Sequence, residues 1–467
     1  MRAGRARWLW LVALLAAALA CNFPTQPPTP LAFPSPAPGQ PAASATVPFI
    51  LPATPTVTST PTPWPPPFFG TPGPTEVTPI PGALPVFSSP ESITFLLIGS
   101  DRRTGTTRTD TLILANYQPE FRLVTLLSVP RDLYVYIPGW TMQRINAAYQ
   151  HGEGNQHLYP EGGMGLLKDT ILYNLGIRVD YTALIGFDGF IDLVDTLGGV
   201  DVPVACAYTD WHIIDPDGDA EDEDNWALYT VGPGVVSMDG DLALWYARSR
   251  LKSSDFDRGR RQQELLRALF DQALRFNTLA RLPALYDQFR DTVQTDVSLD
   301  ELLPLAAAAP GIGTAQVRSF YIDTTIVSGW RTPQNAAVLV PNPGQLEALL
   351  AEAMGPPDEA EQARTRTVVA VWNASGQPDW EELAVSRLNY AGFAAVAENN
   401  ERGQVSRSVL EILSEAVNTD EALALAAVLG LSQDDIVHVP TPGYVSGYRV
   451  ILGADYSPCF APAKIDR

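Results

Sequence analysis

Cysteine is scarce in this chain: three in 467 residues, with no Cys-x-x-Cys pair among them. Nothing in that spacing suggests a thiolate or zinc site. The four histidines, His151, His157, His212 and His438, are too scattered for a metal triad, and no Gly-x-Ser-x-Gly, Walker A or dinucleotide motif occurs. Positive charge is short as well, 31 Lys and Arg against 52 Asp and Glu, for a formal net charge of −21. Non-specific nucleic-acid binding needs a broadly basic face, so nucleic acid is not expected as a partner. The longest apolar run at the N-terminus, Trp8 to Ala20, falls short of the roughly 20 residues of a membrane span.

What is present begins with an export signal. Arg2, Arg5 and Arg7 form a positive n-region ahead of that short apolar run, which ends in "AALAC". Small residues before Cys21 resemble a bacterial lipoprotein cleavage site, with Ala18 where leucine is usual, and Cys21 would carry the lipid. An uncleaved or ordinarily cleaved signal is the alternative. Each version places the chain on the extracytoplasmic face of a bacterial membrane. Two cysteines remain, Cys206 and Cys459, and in an oxidising compartment such a pair points to a disulfide, with two unpaired core cysteines as the alternative.

After the signal (1–21), residues 22–90 hold roughly half of the chain's 42 prolines, in runs such as "TPTVTSTPTPWPPP". Such composition favours extended polyproline II, about 3.1 Å per residue, and reads as a disordered tether reaching up to roughly 200 Å. Folded sequence starts at "SITFLLIGSD". Short apolar strands alternate with helical patterns from 91 to about 355, which predicts an α/β domain with a mixed central sheet flanked by helices. Beyond the linker "GPPDEAEQART", residues 365–456 read as a smaller C-terminal α/β domain without a cluster of convergent charges.

Against the acidic total stands "WYARSRLKSSDFDRGRRQQELL", which packs six cations between Arg248 and Arg261. Arg248 and Arg250 alternate in what reads as an extended break, so both point to one side. On the helix that resumes near Asp255, Arg258, Gln262, Leu265 and Leu269 share one face, with Arg261 adjacent. The leucines mark that face as inward, and an inward arginine must be paired or hold an anion. Arg260, Glu264 and Arg267 lie on another face and read as ordinary surface charges. Neutralisation by Asp255 and Asp257 alone would leave the inward set with surplus positive charge.

Carboxylates lie elsewhere. Asp101 follows the first strand and Asp110 begins the second, flanking the loop "GSDRRTGTTRTDT"; such a pair suits a hard divalent cation. Arg131 and Asp132 follow a buried strand that Pro130 ends, where α/β folds place binding groups. "DPDGDAEDEDN" (215–225) begins like a calcium loop, but Gly218 is fourth rather than sixth, and an acidic solvated insertion is the better reading.

These motifs, "FLLIGSD…RTDTLIL…LLSVPRDLYVYIPG…RINAAY…GGM…DYTALIGFDGFIDLVDTLGGVDV…LALWYARSR…DFDRGRRQQ", together resemble the LytR–CpsA–Psr family of cell-wall enzymes over about 93–280. The block "VVAVWNASG…LAVSRLNYAGF…YRVILGAD" resembles the LytR C-terminal domain. The resemblance implies transfer of a glycopolymer phosphate from a polyprenyl-pyrophosphate lipid carrier to peptidoglycan or a related wall acceptor. It implies Mg²⁺, with Mn²⁺ as the alternative, on Asp101 and Asp110. It also implies a pyrophosphate-binding set of Arg131, Arg248, Arg250, Arg258 and Gln262, accompanied by Asp255. Arg108, Asp132 and Arg144 fall in family motifs too, and the inward Arg261 joins the set; Asp132 or Asp255 would be the base. Where the family often has "KINHAY" this chain has "RINAAY", so no role rests on that histidine. A hydrolase of the same lipid pyrophosphate and a non-catalytic binder of anionic wall polymer are the rival readings.

Overall fold

The structure is a computed structural model. It describes residues 80–459 apart from 104–105, 216–218, 220, 252–254, 276–280, 400–402, 416–417 and 442–446, and leaves aside the side chains of 102–108, 255 and 275. The expected signal, Cys21 and nearly all of the tether lie outside the described residues, as do the side chains of Arg108 and Asp255.

Three strands open the fold: β1 (Ile93–Arg103), β2 (Thr106–Gln118) and β3 (Leu123–Val129). They are antiparallel neighbours at the centre of a six-stranded sheet. Tyr181–Ile185 pairs parallel with β1, Val293–Thr295 pairs antiparallel with Tyr181–Ile185, and Val317–Tyr321 pairs parallel with β3. Successive side chains in a strand face opposite ways, and here both faces are apolar, which is why β1 and β2 read as continuous hydrophobic runs. Phe95, Leu97, Ile113, Ala115 and Leu126 join one core with the helices Phe187–Thr196, Gly240–Arg248 and Asp255–Arg275. Leu96, Ile98, Leu112, Leu114 and Leu127 join a second core with Gly162–Leu175 and Pro343–Met354. The result is the expected mixed sheet between helical layers.

Local chemistry sets the element ends. Gly176 caps the Gly162–Leu175 helix at φ +59°, and a Cβ there would lie 1.9 Å from the Pro85 carbonyl oxygen; only glycine fits. Asp239 caps Gly240–Arg248 by accepting from the Leu242 amide at 2.9 Å.

A smaller C-terminal α/β region follows. Its five-stranded sheet runs Ala394–Glu398, Val368–Asn373, Tyr448–Leu452, Val409–Ile412, Ile436–His438. The helices Trp380–Tyr390 and Thr419–Val428 close over its core. In this region buried Arg449 donates to Glu411 at 3.2 Å and lies 4.0 Å from the Trp372 ring centroid. Cys206 and Cys459 are joined as a disulfide across 253 positions. Among the described residues no helix is long and apolar enough to cross a membrane.

Candidate active site

The site begins with an irregularity in a hairpin. Asp101 and Asp110 were expected to flank a loop, yet both lie inside strands, because the β1–β2 ladder continues to Arg103 and Thr106. Gly99 pairs with Thr111 and Ser100 with Thr109, which leaves Asp110 as one extra residue in β2. Such a bulge re-aims a side chain that strict alternation would send elsewhere.

Asp101 and Asp110 are buried, at 5% and 2% exposure. Arg131 Nη1 donates to Asp110 Oδ1 at 2.6 Å. Asp110 Oδ2 is buried and accepts no hydrogen bond from the described residues. Burial pushes the Asp110 carboxyl above its ordinary range; Arg131 and Arg250 oppose that shift and the nearby Asp101 adds to it. A buried carboxylate oxygen with no donor, beside a second carboxylate, is a donor set that suits a hard divalent cation. Among the described residues no group of three or more His, Cys, Asp or Glu is placed for a metal.

Asp110 faces a small open cleft, lined also by Thr111, Arg131, Asp132, Arg258 and Gln262, with Phe256, Leu339 and Tyr321 among its apolar walls. Asp132 lies 3.6 Å from Arg131 Nε and 3.3 Å from Arg144 Nε, and Arg144 also donates to the Ala337 carbonyl at 3.0 Å. Asp132 thus ties Arg144 to the cleft. Arg258 and Gln262 reach it from one face of the Asp255–Arg275 helix, one turn apart. Gln262 Nε2 lies 3.2 Å from both Thr111 Oγ1 and the Ala247 carbonyl, linking the helix to the bulged strand.

Other residues of the expected set sit differently. Arg248 is the last residue of its helix rather than part of an extended segment; its guanidinium lies 4.1 Å from the Phe187 ring centroid. Ser249, at ψ 141°, makes the break, and Arg250 follows with its charge bearing on Asp110. Arg261 is not among the residues lining the cleft. Its Nε donates to the Tyr246 carbonyl at 3.0 Å, its Nη2 to the Ser249 carbonyl, and its guanidinium lies 4.1 Å from the Tyr208 ring centroid. Carbonyls at a helix end have no intrahelical partner, and Arg261 supplies one.

A larger cleft lies away from the carboxylates, among Arg318, Arg364, Arg366 and Tyr390. Arg318 there is satisfied by Thr125, Glu361 and the carbonyls of Ala353 and Gly355. Asp110, Arg131, Arg258 and Gln262 all line the smaller cleft.

The LytR_cpsA_psr family profile matches residues 76–353, more than half of the chain. The chain belongs to that family. A second profile, described as LytR cell envelope-related transcriptional attenuator, matches residues 366–456. The polyisoprenyl-teichoic acid–peptidoglycan teichoic acid transferase TagU of Oceanobacillus iheyensis is 29% identical over 239 residues, 50% of this chain and 68% of that one. TagU of Halalkalibacterium halodurans is 33% identical over 224 residues, 47% of this chain and 65% of that one. The chain thus spans about two thirds of each relative. The crystal structure of B. subtilis TagV aligns with 57% of this chain and 98% of its own, at 26% identity and a TM-score of 0.45.

Three supporting residues of this LytR_cpsA_psr chain escaped the sequence reading. Asp210 Oδ2 accepts from the amides of Arg250 at 2.6 Å and Leu251 at 2.9 Å, and so fixes the Arg250 backbone. Gln263, fully buried, donates to Ser128 Oγ at 2.8 Å and the Phe320 carbonyl at 3.1 Å. Tyr321 lines the cleft. Only Gln263 had a signal, its place beside Gln262; Asp210 lies 40 residues from its partner. Arg267 needs correction as well. It is no solvated surface charge, since it donates to the carbonyls of Val317 at 2.5 Å, Thr314 at 2.8 Å and Asn389 at 3.1 Å. The C-terminal region covers that face.

Proposed function

We propose that this protein transfers a glycopolymer phosphate from a polyprenyl-pyrophosphate carrier to peptidoglycan or a related wall acceptor. The observation that carries the reading is the convergence of Arg131, Arg258 and Gln262 with the Asp110 carboxylate on one cleft. Arg144 and Arg250 are held close by Asp132 and Asp210. Phosphoryl transfer depends on positioning and on neutralising phosphate oxygens more than on covalent catalysis. Arginine forks match phosphate geometry two bonds at a time and stay charged at any working pH. The names of the curated relatives agree with this class of reaction.

In the proposed step, the arginines clamp the diphosphate and an acceptor hydroxyl attacks the phosphorus bonded to the sugar. The new P–O bond forms as the bond to the bridging oxygen breaks, polyprenyl phosphate leaves, and the hydroxyl proton passes to a carboxylate. Asp132 or Asp255 is that base. Asp132 also orients Arg131 and Arg144. Mg²⁺, with Mn²⁺ as the substitute, would be held by Asp101 and Asp110 and would neutralise charge on the diphosphate. The N-terminal segment, through lipid on Cys21 or an uncleaved signal, would anchor the protein to the extracytoplasmic face of the membrane.

The test is incubation of the purified protein with a polyprenyl-pyrophosphate glycan, a peptidoglycan fragment and Mg²⁺. Glycan phosphate covalently attached to the fragment supports transfer. Free glycan phosphate alone identifies a hydrolase, and neither product leaves a binding protein. Full turnover by Asp110→Ala would remove this cleft as the site.

A further inference from the structure

The C-terminal region touches the wall of the cleft. Tyr321 ends the Val317–Tyr321 strand and lines the cleft together with Arg258 and Gly259. Its ring lies close to the helix at Gly259, where a Cβ would come 3.7 Å from Tyr321 Cδ1. On its far side the Tyr321 hydroxyl shares a hydrogen bond with the hydroxyl of Tyr390, the last residue of the Trp380–Tyr390 helix. The neighbouring Asn389 carbonyl accepts from Arg267 Nη2 at 3.1 Å, and the Arg267 guanidinium lies 5.2 Å from the Tyr390 ring centroid.

The Asp255–Arg275 helix therefore has two customers. It presents Arg258 and Gln262 to the cleft, and Arg267, about 13 Å beyond Arg258 along its axis, to the C-terminal region. Burial pushes both phenols above their ordinary range, so the hydroxyl pair stays neutral and bonded at ordinary pH. A polar link of this kind in a low-dielectric setting rigidifies what it joins.

We infer that the C-terminal region is a brace for the catalytic cleft, with Tyr390 as a positioning residue: through Tyr321 and Arg267 it fixes one cleft wall and the helix that presents Arg258 and Gln262. This rests on the diphosphate reading of the cleft. It gives the second domain a part in the reaction without a ligand of its own. A mere tether between domains would need no contact with a cleft-lining side chain.

The experiment compares the intact protein with Tyr390→Phe, Tyr321→Phe and the double variant, using geranyl diphosphate with Mg²⁺ as the probe. Each single change should weaken binding about 2–10-fold, the range of one neutral hydrogen bond. The double variant should bind no worse than either single one, with the melting temperature nearly unchanged. Glu382→Gln, an exposed change on the same helix, should bind like the original. Losses that multiply, or Tyr390→Phe binding at full strength, would overturn the brace. Amide exchange without ligand separates the two ideas. Faster exchange at 317–321 in Tyr390→Phe, with no form binding the probe, keeps the brace and removes the diphosphate reading; unchanged exchange removes the brace.

Discussion

Arg131 and Asp110 meet at 2.6 Å, Nη1 to Oδ1, and join the bulged strand to the turn after β3 with almost no solvent access to the carboxylate. Removing one partner of such a pair leaves the other charge buried and uncompensated. Arg131→Ala should destabilise the metal-free protein by about 2–4 kcal/mol in urea unfolding at neutral pH. Adding Asp110→Asn should restore at least half of that. Turnover should fall about 100-fold or more, since the lost cation faces developing phosphate charge. A stable, fully active Arg131→Ala would break the link between this pair and the reaction.

Arg258 is 5% exposed and lines the cleft. Lysine keeps the charge but not the planar fork. Arg258→Lys should therefore lose about 10-fold or more in affinity for a diphosphate while folding normally. Calorimetric titration checks this, and equal affinity would take Arg258 out of the clamp.

Asp210 acts at one remove, by accepting from the amides of Arg250 and Leu251. Asp210→Ala would strand two amide donors at about 1–3 kcal/mol and loosen Arg250. Asp210→Asn keeps an acceptor oxygen and should recover most of the diphosphate affinity. If Asn and Ala behave alike, the carboxylate matters through its charge rather than through placement of Arg250.

Tyr181 donates to Glu301 at 3.1 Å, and burial, then the Glu301 charge, push its pKa up to about 12. The unfolded tyrosine ionises near 10. Between about pH 10 and 12 the unfolded chain releases this proton while the folded one keeps it, so stability falls through that window. Tyr181→Phe has no such proton. It should be less stable than the original at pH 8, by about 1 kcal/mol, and the gap should narrow as pH rises past 10. A gap independent of pH would mean that the phenol titrates alike in both states.

The sheet was legible because apolar runs such as Ile93–Ile98 announce strands covered on both faces, and Arg258 and Gln262 because helical spacing put them beside Leu265 and Leu269. The bulge at Asp110 was not, since one inserted residue changes no composition, only parity. Nor did the polar tip of the hairpin look like strand; backbone pairing overrode its side chains. Arg261 shared the inward direction of Arg258, but free carbonyls at the end of a neighbouring helix captured it first. Arg267 looked solvated because periodicity says which face is polar and nothing about what later packs on it.

The Cys206–Cys459 bond gives the chain a ring as well as a fold. Every residue from the basic helix through the linker to the last strand lies on that closed loop. One peptide cleavage inside it opens the ring into a line but releases no fragment. The catalytic and C-terminal parts would still migrate as one molecule, and only a reductant would turn the nick into two pieces.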